Sequence, residues 1–105
     1  MELQEQLNSY NRDLRGVRAS LSNTQRESRL NDVTTKQITN LDNNIPLYRS
    51  VGKAFIYTPK TQVESILLKE NNDLLKAQKD LQDRDEYLTR RIISHTNNLK
   101  DLVGQ

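Results

Sequence analysis

The sequence contains no cysteine and no tryptophan, one histidine, two prolines and three glycines in 105 residues. Without cysteine there is no disulfide framework and no thiolate metal site. With His95 alone there is no second imidazole to complete a metal-ligand set, and no Ser-His-Asp signature surrounds it. Apolar residues make up 33% of the chain, against a usual share of roughly 45–50% that also counts glycine. A thick core is thereby excluded. No apolar run approaches the roughly 18–20 residues of a membrane span. The opening stretch MELQEQLNSYNRDL has no apolar segment of the secretory kind. The expectation is a soluble protein of the cytoplasm. Lysine and arginine together number 16 against 14 acids, for a net charge of +2. The two signs are interspersed, whereas a nucleic-acid interface needs clustered basic residues.

Sparse proline leaves long stretches in which a helix can run uninterrupted. Leu3, Leu7, Tyr10, Leu14, Val17 and Leu21 are spaced alternately four and three residues apart, the a/d seam of a coiled coil. Thr24 and Ser28 fall on the next seam positions, where the apolar signal fades. The pattern predicts a helix over about 1–29, then a break at Asn31-Asp32. Thr34 with Gln37 fits a capping box, and Ile38 and Leu41 make one short apolar face. A short helix over about 35–43 is expected, ended by Pro46, which drives Ile45 out of the helical region.

After Pro59 no proline follows. Thr58 suits an N-cap and Pro59 a first helical position, so a helix is expected over about 59–103. Leu67, Leu74, Leu81 and Leu88 recur every seven residues, and His95 and Leu102 share that register. The companion seam position is Val63 and Ala77 early, then Ile92 and Leu99 late, a shift that reads as a stutter. Gly104 suits a C-terminal cap. Asp83, Asp85 and Glu86 lie in a charged helical stretch and are expected to be solvated rather than catalytic. Nothing here points to an enzyme, a cofactor or a metal.

Between the helices lies LYRSVGKAFIYT, residues 47–58, which holds three of the five aromatics, Tyr48, Phe55 and Tyr57. Two runs of β-forming residues flank Gly52-Lys53, and glycine first in a two-residue loop predicts a type II′ hairpin. Gly52-Lys53 also resembles a fragment of a phosphate loop, but the remainder of that motif is absent. The hairpin pairs Val51 with Ala54, Ser50 with Phe55, Arg49 with Ile56 and Tyr48 with Tyr57. One face then carries Leu47, Val51, Ala54 and Ile56 with Arg49 among them, and the other Tyr48, Phe55 and Tyr57. A two-stranded hairpin is marginal in water by itself, so one that is apolar on both faces needs partners. The fold class is mainly α: a long antiparallel coiled coil with one central β-hairpin, forming one domain over 1–105. Two functions fit it. The chain is either a subunit of a hetero-oligomer, assembled through the hairpin, or a plain coiled-coil tether or dimerisation module. A two-sided apolar hairpin has no place in the second.

Helix, hairpin and helix, with Tyr48, Val51-Gly52-Lys53 and Phe55-Ile56 in the hairpin, resemble the beta class of prefoldin subunits. The run from Val33 to Phe55, with Thr34, Ile38, Leu41, Tyr48, Val51, Gly52 and Phe55 in step, is most similar to the eukaryotic subunit 1 type. Pro46 and the run Asp42-Asn43-Asn44 depart from the family pattern. The single hairpin separates the beta class from the two-hairpin alpha class. The resemblance implies a hexamer of two alpha-class and four beta-class subunits, joined by their hairpins into a β-barrel platform. It implies that open coil tips hold unfolded clients, notably actin and tubulin, for the cytosolic chaperonin, without nucleotide or metal. On this basis Tyr48, Val51, Gly52, Phe55, Ile56 and Tyr57 are the expected oligomer interface. Leu3, Leu7, Leu99, Leu102 and Val103 are the expected client-binding tip. A membrane or nucleic-acid partner is not expected.

Overall fold

A computed structural model describes residues 2–104. Its elements in order are helix α1 (Glu2–Thr39), strands β1 (Leu47–Val51) and β2 (Ala54–Thr58), and helix α2 (Lys60–Val103). The chain divides into two compact units. One comprises residues 2–25 with 77–104, and the other residues 26–76.

In the first unit the two helical segments run antiparallel and bury a narrow seam. Leu14, Val17 and Leu88 are its buried apolar residues, with Tyr10, Leu81 and Ile92 packed against them. Polar ties fix the register. Arg18 Nε donates to Asp85 Oδ2 at 3.1 Å. His95 bridges the helices, with Nε2 3.0 Å from Gln6 Oε1 and Nδ1 3.0 Å from the Arg91 carbonyl. The ring is buried and meets Tyr10 edge-on at 5.1 Å. His95 is thus a seam residue held at both nitrogens. The Arg91 guanidinium lies 5.9 Å from the centroids of both Tyr10 and Tyr87.

In the second unit α1 continues to Thr39 without interruption. The expected break at Asn31-Asp32 and the separate helix over 35–43 are therefore corrected to one helix. The reason is that the four-three spacing does not stop at Leu21. It continues through Thr24, Ser28, Asn31, Thr35 and Ile38, all of them buried or half-buried. The seam turns polar without losing its register. Threonine is tolerated there because its hydroxyl returns to the helix backbone. Thr35 Oγ1 donates to the Asn31 carbonyl and Thr39 Oγ1 to the Thr35 carbonyl, each at 2.8 Å. The capping box at Thr34 is left unused inside a continuing helix.

α2 likewise keeps strict spacing. Leu67, Asn71, Leu74, Gln78, Leu81, Asp85, Leu88, Ile92, His95 and Leu99 are buried or half-buried, whereas Ala77 is exposed. The expected stutter is corrected accordingly: polar residues occupy the seam where an apolar pattern pointed to Ala77. Thr58 does not serve as the expected cap through its hydroxyl, which donates to the Ile56 carbonyl at 3.1 Å. Pro59 opens the helix with its carbonyl, which accepts from the amides of Gln62 and Val63 at 3.0 Å.

Candidate functional site

The hairpin belongs to the second unit. Its register pairs Leu47 with Thr58, Tyr48 with Tyr57, Arg49 with Ile56, Ser50 with Phe55 and Val51 with Ala54. Gly52 has φ +62°, and among the described residues no non-glycine has positive φ. Lys53 is therefore at negative φ, which selects type II′ over type I′, since the latter needs both central residues positive. Glycine is required at this turn because a side chain is strained in that conformation.

Only the pair at the base of the hairpin, Leu47 and Thr58, is drawn away from solvent. Phe55 is 74% exposed, Tyr48 63% and Tyr57 61%. Tyr48 and Tyr57 meet in a T-shaped contact with centroids 6.2 Å apart. Val51 and Ile56, on the opposite face, are also exposed. The sheet has two strands, so each carries one open edge of unpaired backbone groups, a template for another strand. A groove of about 470 Å³ runs beside β1, lined among others by Ile38, Leu47, Arg49, Val63, Ile66 and Glu70. The arrangement offers apolar area and open strand edges.

The hairpin is tied down at its base by a residue that pattern reading passes over. Lys60 Nζ donates to the carbonyls of Thr39 at 3.2 Å and Leu41 at 2.8 Å, and to Asn43 Oδ1 at 3.1 Å. The sequence signal was a lysine directly after Thr-Pro, facing a helix end that lacks a glycine cap. Asn31 was likewise missed as a seam residue. It is buried, and its Oδ1 has no hydrogen-bond partner.

The expected tip residues lie in the first unit. Leu3, Leu7 and Leu99 are half-buried on the seam, whereas Leu102 and Val103 are exposed, Val103 at 85%. The Gln6–His95 tie places the start of α1 beside the late part of α2. Nearby, the hydrogen bond from Arg18 holds the Asp85 carboxyl below its ordinary value, aided by the Thr89 hydroxyl and the Arg18 charge and opposed by burial. Among the described residues no group of three or more metal-ligating side chains gathers. No described helix is long and apolar enough to cross a membrane.

Paired antiparallel helical segments and one exposed β-hairpin between α1 and α2 define a coiled-coil protein with an open-edged hairpin at its centre. The Prefoldin_2 family model, prefoldin subunit, matches residues 1–105, and the chain belongs to the prefoldin subunit family. It is 27% identical over 105 residues to prefoldin subunit 1 of Arabidopsis thaliana, covering 100% of this chain and 82% of that protein. It is 31% identical over 81 residues to a probable prefoldin subunit 1 of Caenorhabditis elegans, covering 71% of this chain and 64% of that protein. The prefoldin beta subunit from Thermococcus strain KS-1 has the same fold, with TM-score 0.88 at 20% identity, over 96% of this chain and 89% of that one. Prefoldin subunits form complexes with one another and act as chaperones without catalysis.

Proposed function

We propose that this chain joins a prefoldin hetero-hexamer of two alpha-class and four beta-class subunits through its hairpin. Tyr48, Val51, Gly52, Phe55, Ile56 and Tyr57 form the contact surface. The open end of the coil, with Leu3, Leu7, Leu99, Leu102 and Val103, holds unfolded clients such as actin and tubulin in the cytoplasm. The clients pass from there to the cytosolic chaperonin. The observation that carries the assembly reading is Phe55, a large ring 74% exposed opposite Ser50 on an open-edged sheet. The helices bury their seams against each other and leave this ring uncovered, so neighbouring strands must cover it.

Removing a buried phenylalanine typically costs roughly 3–5 kcal/mol, and burying an unpaired charge in its place costs more. Phe55→Asp therefore abolishes incorporation into the complex and leaves helical content nearly unchanged. Co-expression with the other prefoldin subunits followed by gel filtration reads this out. Co-elution of Phe55→Asp at normal stoichiometry would contradict the assembly role and favour a plain tether. For the tip, trimming both helix ends of this subunit lowers suppression of client aggregation by the reconstituted complex while assembly persists.

A further inference from the structure

We propose that Lys60 is the latch that sets how the hairpin is presented for assembly. It ties the end of α1 to the start of α2, and so fixes the path of the 40–46 linker into β1. The proposal rests on the reading of the hairpin as the assembly element. α1 ends at Thr39, and no glycine occurs between there and Pro46. Gly52 is the positive-φ residue among those described, so the usual left-handed cap is absent at this end. The last carbonyls of a helix are otherwise orphaned and carry the negative end of its dipole. Two are satisfied locally: Asn40 N donates to the Lys36 carbonyl and Leu41 N to the Ile38 carbonyl, each at 3.1 Å.

The ammonium of Lys60 meets the carbonyls of Thr39 and Leu41 and the side chain of Asn43. An ammonium has three donors, and here each has an acceptor within 3.2 Å. The Glu64 carboxylate, 3.9 Å away, supplies opposite charge. The Lys60 side chain is 15% exposed, and lysine is seldom so buried unless paired. The linker is folded on itself as well, through Ile45 N to the Asp42 carbonyl and Asn44 N to Asp42 Oδ1, both at 3.1 Å. Lys60 stands two residues after Thr58, the last residue of β2. It therefore joins the exit from one strand to the approach to the other.

Two variants separate latch from general stabiliser. Lys60→Met keeps the stem and loses the donors. Lys60→Arg keeps the charge, but a planar fork cannot aim three donors at these converging oxygens. Hydrogen exchange on the full chain, circular dichroism, and affinity for the other prefoldin subunits are measured, with Phe55→Asp in parallel. In Lys60→Met the amides of Asn40, Leu41 and Ile45 exchange at least about tenfold faster and subunit affinity falls at least about tenfold, since one charge-assisted bond already reaches that scale and three are lost. Lys60→Arg lies between, and helical content stays unchanged. Unchanged linker exchange, faster exchange spread along both helices, loss of helical content, or unchanged affinity would each overturn the latch. Normal assembly of Phe55→Asp would instead overturn the hairpin reading, and with it the role of the latch in assembly.

Discussion

Replacing Asn31 with leucine should stabilise the isolated chain. The side chain lies on the seam face of α1 at 8% exposure, and its Oδ1 has no hydrogen-bond partner. An unsatisfied buried polar atom costs about 1–3 kcal/mol. A buried leucine contributes about 1.5–3 kcal/mol, offset by about 1–3 kcal/mol if the seam must shift to admit the extra volume. The central values sum to a net gain of about 2 kcal/mol. In a domain of this size each kcal/mol moves the melting temperature by roughly 4–8 °C, so Asn31→Leu should melt about 8–16 °C higher. A polar residue at a seam position also specifies register and oligomeric state at a cost in stability. The same variant should therefore shift the distribution of oligomeric states in sedimentation relative to the parent chain. Thermal circular dichroism at matched concentration is the assay. A lower melting temperature would mean that Oδ1 is satisfied in solution and that the polar seam stabilises the coil.

Gly52→Val finds no steric obstacle, since nothing lies within 4 Å of an added Cβ, but it must hold φ near +62°. That conformation in a II′ turn lies outside the left-handed helical region and costs a β-branched residue on the order of 1–3 kcal/mol, so gel filtration should show weaker assembly at unchanged helicity. The lowered Asp85 carboxyl contributes stability that is present above its ordinary value of 3.8 and is lost as pH falls below it through the lowered value. Asp85→Asn should flatten that part of a pH titration of the melting temperature and leave the rest unchanged. Leu102→Ser with Val103→Ser alters exposed residues, so the melting temperature should move by less than the equivalent of about 0.5 kcal/mol. Client aggregation assays should nonetheless show reduced holding, and equal holding would remove these two residues from the tip.

The hairpin was legible because its determinants are local. Glycine first in a two-residue loop, β-forming residues on both sides and Pro46 ahead set turn type and register together, and the register is as expected. The early seam was legible for the same reason, since Leu3 to Leu21 repeat a period that polar residues do not interrupt. The middle was not. Asn31, Thr35, Asn71 and Gln78 hold seam positions by continuity of the helix, and their identities alone read as a break or a stutter. Tertiary context overrides propensity there. The partners of Lys60 were not legible because its acceptors, in Thr39, Leu41 and Asn43, lie far from it in the chain and come together only once α1 and α2 are placed.

If hairpin 47–58 joins this chain to other prefoldin subunits, native mass spectrometry of the tagged protein drawn from its own cells will show it. The predicted result is a single assembly with the mass of six chains, containing this one together with other prefoldin subunits of both classes. Recovery of the chain alone, or only as a dimer of itself, would contradict it.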